Sequence, residues 1–175
     1  MVDTFRIYKG TTKVVEGESP LTISGLEPNT KVMAGTYQAT RVTSVGESSK
    51  TNIPAFTTAL SAPANVSGAF NEDGSISTSC DEVPDAQAYL VHYGDANVSD
   101  PSKAVKMGYT ETNSWTLAAG DVPTLAEGDT INLFIQAYPV VGVGANDIEK
   151  ARYLHDGNFL GSAWSEPIIL TKPTP

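Results

Sequence analysis

Cysteine is almost absent from this chain. Cys80 stands alone among 175 residues, which excludes an internal disulfide. The two histidines, His92 and His155, lie far apart without cysteine neighbours, so zinc-ligand spacing is missing too. Long apolar runs are also lacking: the longest stretch, Ile131 to Ala145, is broken by Asn132, Gln136, Pro139 and two glycines. Neither a membrane span nor a basic-then-apolar leader is expected. Basic charge is scarce as well, with 11 Lys and Arg against 20 Asp and Glu for a net charge of −9. The deficit is uneven. Residues 1–59 hold six basic and five acidic side chains, net +1, whereas residues 60–175 hold five and fifteen, net −10. An acidic second half repels a phosphate backbone, so no nucleic acid is expected as a partner. Its first effect is to keep an exposed domain soluble.

Motifs that carry chemistry are missing in turn. The chain has no Gly-x-Ser-x-Gly elbow, no Gly-x-x-x-x-Gly-Lys-Ser/Thr phosphate loop, no His-Glu-x-x-His helix and no calcium-binding loop. The stretch "VGVGAN" at Val141 to Asn146 contains Gly-x-Gly, but it follows a proline-broken strand and opens no βαβ unit, so it reads as a turn. Glu72-Asp73 and Asp81-Glu82 are sequence neighbours, whereas general acid–base work needs two carboxyls converging across a cleft. Glu72-Asp73-Gly74 is better read as hairpin-turn chemistry. No enzyme, cofactor or metal site is expected.

What is present is a supply of strand formers. Val, Ile, Thr and Tyr are plentiful, Pro and Gly punctuate the chain often, and no apolar repeat at 3.6 residues persists beyond a few turns, so the fold class is all-β. Length allows one large domain or two small ones. From Phe5, "FRIYKGTTKVVEG" reads as two strands around a Gly-Thr-Thr turn, with Phe5, Ile7 and Val14 on one side. Leu21, Ile23 and Leu26 supply the next apolar face, Pro28 fixes a turn, "TYQATRVTSV" runs back as a long strand and "NIPAFTT" closes the unit. The order recurs from Tyr89, through "YLVHYGDANV", "AVKMGYTE" and "SWTLAAGDVPTLAEGDTINLFIQAY" to "SEPIILT". Two related modules are expected, residues 1–59 and 60–175, joined near Thr58 to Pro63.

On these residues both halves resemble fibronectin type III and related immunoglobulin-like modules. The resemblance is best over residues 62–171, where "SAPANVSGAFNEDGSISTSCDEVPDAQAYLVHY" is similar to the first three strands and "SAWSEPIILT" to the last. Cys80 departs from the pattern at the usual place of a buried tryptophan, and Ile131 near that of a corner tyrosine. The first module is short: if Phe5 opens the family's third strand, the two strands before it are missing. So small a unit buries little core and leaves sheet edges open. A shortened module followed by a complete one also resembles structural proteins of tailed bacteriophages.

That second resemblance implies a non-enzymatic virion protein made in the bacterial host cytoplasm and held on the virion surface. The expected role is head decoration, with residues 1–59 docked on the particle and residues 60–175 projecting into solvent. Its expected partner is the phage major capsid protein, or a tail-tube protein if the module is a tail ornament. A host cell-surface glycan and self-association are further candidates; no membrane partner is expected. The start at Met1 and the proline-rich end favour this over a carbohydrate-binding accessory module of a secreted bacterial protein.

Candidate recognition residues lie late in the chain. Residues 142–161 exceed what a hairpin between the last two strands needs. Asn146 is placed to cap a short helix through Glu149 to Leu154. Arg152 and Tyr153 on that helix, with His155 and Trp164 beyond it, form the candidate recognition surface, and Trp164 is a candidate sugar-stacking ring. The alternative is a packed lid over the open end of the sandwich. Trp115 reads as core, Cys80 as a small buried hydrophobe, and His92 as an exposed or partly packed strand residue on the face opposite Val91 and Tyr93.

Overall fold

The structure, a computed structural model, describes residues 3–173. The chain divides into two compact units, Met1–Thr58 and Ala59–Pro175.

In the first unit, β1 (Thr4–Lys9) and β2 (Thr12–Gly17) form the predicted hairpin, turning at Gly10, whose φ of 63° a side chain would resist. After β3 (Lys31–Val32), strand β4 (Tyr37–Thr43) pairs with the other side of β1. The far edge of β4 takes β5 (Gly46–Glu47) at one end and β6 (Thr51–Asn52) at the other. A separate two-stranded ladder joins β3 to β7 (Phe56–Thr57). Strand alternation gives the main sheet one apolar and one polar face. Ile7, Val32 and Tyr37 are buried, and Val15, Leu21, Ile23, Leu26, Ile53 and Phe56 pack against them.

Three sequence expectations need correction here. Val15, opposite Ile7, packs on the core in place of Val14, because the hairpin register shifts between Ile7 and Tyr8. The stretch around Leu21 and Ile23 supplies apolar cover but forms no strand. A strand needs a ladder partner, and none of the described strands of the first unit pairs with this stretch. "NIPAFTT" is not one closing strand: Pro54, which lacks an N–H donor, separates β6 from β7, and the two belong to different sheets. Thr58 closes the unit, its hydroxyl accepting from the Thr30 N–H at 2.8 Å and donating to the Glu27 carbonyl at 2.7 Å.

The second unit is an antiparallel sandwich. One sheet holds β8 (Ser67–Phe70), β9 (Ile76–Ser79) and β12 (Ser114–Leu117) in the order β12-β9-β8. The other holds β10 (Ala88–Tyr93), β11 (Lys106–Thr110), β13 (Thr130–Tyr138) and β14 (Ile168–Thr171) in the order β11-β10-β13-β14. Alternate residues meet in the core: Tyr89, Val91 and Tyr93 from β10, Ile131, Leu133, Ile135 and Ala137 from β13, Ile76 and Leu117 from the facing sheet. Cys80 is buried among them, and burial pushes its thiol up to about 11. The Asp73-Gly74 turn behaves as its residues predict. Gly74 has φ 83°, and the Asp73 carboxylate accepts from the Ser75 N–H at 2.9 Å.

The helix expected after Asn146 forms a third layer. Between β13 and β14 lies helix α1 (Asp147–Asp156), capped by Asn146, whose Oδ1 accepts from the Glu149 N–H at 3.0 Å. Its Ala151 and Leu154 pack on Ala88, Leu90, Tyr109 and Tyr138, the outward-facing residues of the four-stranded sheet. The insertion therefore covers a sheet face rather than the open end of the sandwich, and β10 is buried on both sides. His92 is consequently not exposed or partly packed but only 2% accessible.

Candidate functional site

The late segment gathers on the outer face of the four-stranded sheet. There His92 of β10 stands directly opposite Phe134 of β13. The chain from Gly161 to Ser165 runs alongside β13 and is held by hydroxyls as well as by backbone. The Ala137 N–H donates to Ser162 Oγ and the Ile135 N–H to Ser165 Oγ, each at 2.9 Å. The N–H groups of Ser162 and Ser165 donate back to the carbonyls of Ala137 and Ile135, also at 2.9 Å. Gly161 is required for this approach, since a Cβ there would lie 2.8 Å from the Tyr138 ring.

These bonds fix Trp164, which lies between Ser162 and Ser165. Its ring meets His92 edge-on, with centroids 4.5 Å apart and planes at 87°, and lies 6.4 Å from Phe134. His155, on the last turn of α1, brings its ring to 5.3 Å from that of His92. Of the four candidate residues, His155 and Trp164 are thus joined through His92. Tyr153 is instead paired with Phe159 at 4.9 Å, and Arg152 is exposed on the helix. Trp164 is half-buried, with His92 and Phe134 packed against it.

The helix is pinned on its other flank by Tyr109. That hydroxyl accepts from the Gly142 N–H at 3.0 Å and donates to Glu111 at 2.8 Å, while Lys150 lies 5.0 Å above the ring. Burial first, and then the bond to Glu111, push the Tyr109 hydroxyl up to about 12. His92 shifts the other way. Burial, with a smaller contribution from the neighbouring His155, lowers it to about 4, although a hydrogen bond to the Ala104 carbonyl opposes the shift. His92 is neutral at physiological pH.

His92 is the residue that sequence reasoning undervalued. One signal was available: "AYLVHY" is apolar on both alternating faces, as expected of a strand covered on both sides.

The polar face of the first unit carries a second cluster. Arg6 bridges Glu16 at 2.9 Å and Glu47 at 2.7 Å, and Glu47 also accepts from Tyr8 at 2.8 Å and Thr40 at 2.6 Å. The Thr40 and Tyr8 hydroxyls, with Arg6, hold the Glu47 carboxyl down to about 2. Lys13 pairs with Glu16 in the same row. Among the described residues, no group of three or more His, Cys, Asp or Glu is placed to hold a metal ion. No helix among them is long and apolar enough to cross a membrane.

No family model matches the chain, and no curated protein matches it. Solved structures similar to it include a two-domain fibronectin type III segment from chicken tenascin, with 16% identity over 97% of this chain and 83% of that chain, TM-score 0.46. A cytokine receptor complex matches at 14% identity over 99% and 88%, TM-score 0.46. The FN1–FN3 domains of chicken CNTN1 match at 13% identity over 98% of this chain and 55% of that chain, TM-score 0.45. The strand order and register decide the fold. The chain is built of immunoglobulin-like, fibronectin III-like β modules, the first one short.

Proposed function

We propose that this is a non-enzymatic structural protein of a tailed-phage virion, docking on the head through its first unit and displaying the second. The observation that carries the reading is the openness of the first unit. Its single main sheet is covered by a segment without strands, β2 is an outermost strand, and Val14, Met33 and Val45 are exposed at 45%, 77% and 95%. Open edges and exposed apolar side chains are what strand addition by a partner uses. The charge division supports the same orientation, with a near-neutral docking unit beside a unit of net charge −10. The partner is then the major capsid protein, and repetition of the docking site across a shell compensates for a small interface if the protein self-associates.

Electron micrographs of the encoding phage's particles, incubated with the full chain, test this. Added density on heads is the expected result. Density on tails replaces the partner with a tail-tube protein, and bare particles reject the virion reading. Removing residues 1–59 is expected to abolish attachment; attachment by residues 60–175 alone would overturn the docking assignment.

A further inference from the structure

We propose that His92 and His155 form a binding site for a divalent transition-metal ion of the zinc, nickel or copper type, which ties helix α1 to strand β10. The inference starts from an orphan atom. His92 is only 2% accessible, yet its Nε2 has no hydrogen-bond partner. A buried polar atom without a partner is expensive, and such exceptions in well-packed folds call for a ligand or a role. The same ring also meets the backbone of Ala104. Ligating histidines are commonly oriented in this way, with a backbone carbonyl holding the N–H opposite the nitrogen that binds the metal.

The second imidazole stands at a suitable distance. Two rings sharing one tetrahedral ion through nitrogens at about 2.0–2.1 Å hold their centres roughly 5 Å apart. The rings of His92 and His155 are 5.3 Å apart, with planes inclined at 58°. Trp164 packs edge-on against His92 and restricts its ring, while His155 is exposed and opens the site to solvent. Since no third His, Cys, Asp or Glu joins them among the described residues, water completes the coordination. Imidazole donors favour zinc, nickel and copper over magnesium or calcium. The bound ion would clamp the insertion to the sheet, joining elements that are more than fifty residues apart in the chain.

Titration calorimetry of the full chain with zinc chloride, repeated with magnesium chloride, tests the site. Saturable binding of one zinc per chain and none of magnesium is expected. His155→Ala, at an exposed position, should leave thermal unfolding in chelator unchanged and weaken zinc binding at least ~10-fold. In nitrogen-detected imidazole spectra, zinc should shift His92 Nε2 and spare Nδ1. Absence of saturable binding, binding equally tight in His155→Ala, or an unmoved His92 Nε2 each overturns the proposal. The test needs no phage particle, so it stands apart from the virion reading.

Discussion

The two units use the same three-strand motif and cover it differently. In the first, hairpin β1-β2 is extended by β4; in the second, hairpin β10-β11 is extended by β13. The second motif is enclosed by a three-stranded sheet on one face and by the helical insertion on the other, so Ile131, Leu133 and Leu90 are 0% accessible. The first has a strandless segment and the short β3-β7 ladder around its core and an ion-pair row on its polar face, and its best-buried apolar side chains, Tyr37, Ile7 and Val32, remain 5–7% accessible. Core depth therefore follows what covers a sheet and not the sheet itself. A loop contributes apolar side chains but cannot close packing gaps as a second pleated surface does.

Matched core substitutions put the largest strain on this comparison. Ile131→Ala should cost about 3–5 kcal/mol, because a fully enclosed site cannot collapse around the cavity, whereas Ile7→Ala should fall near the low end of that class, about 2 kcal/mol. Calorimetric unfolding of the two variants measures both. Equal losses would show that the first core is as tightly enclosed as the second.

Acid should separate the units next. The folded-state value of His92, about 4, lies below its ordinary 6.5, so the unfolded chain binds the extra proton between those values. Its contribution is complete above pH 6.5 and is lost as pH falls through 4, about 3 kcal/mol in all. Glu47 is held at about 2 against an ordinary 4.5, so its contribution persists above pH 4.5 and is lost as pH falls through 2. The second unit should weaken at milder acidity than the first. Hydrogen exchange followed from pH 7 to pH 3 reads this, and His92→Phe should flatten the upper window. Simultaneous loss of protection in both units would refute the assignment.

The smallest expected effect concerns how the insertion is held. Ser165→Ala removes the acceptor of the buried Ile135 N–H and should cost about 1–3 kcal/mol. Because Ser165 adjoins Trp164, the loss should also appear as a change in tryptophan fluorescence. A stable variant with unaltered fluorescence would mean that the packing of Trp164 and α1 suffices without the hydroxyl.

Much of the fold was legible in residue order. The alternation of Tyr89, Val91 and Tyr93 assigned the inner face of β10, Asp73-Gly74 marked the β8-β9 hairpin, and Asn146 with Glu149 marked the start of α1. Of the candidate site, the sequence supplied His155, Trp164, Tyr153 and Arg152 but not their grouping. Two groupings emerge only when the insertion is laid on the sheet: Tyr153 pairs with Phe159, and His155 and Trp164 each meet His92, which comes from a strand more than sixty residues earlier.

By itself, the sequence determined the all-β class, the inner face of β10, the Asp73-Gly74 turn and the division of charge. These follow from period-two alternation, turn residues and counting, all of which act locally along the chain. Only the tertiary structure decided what lies over each face. Alternation says that Ala88, Leu90 and His92 share a side, but whether that side meets water or a helix depends on a segment fifty residues away. The same enclosure that buries His92 leaves its Nε2 without a partner.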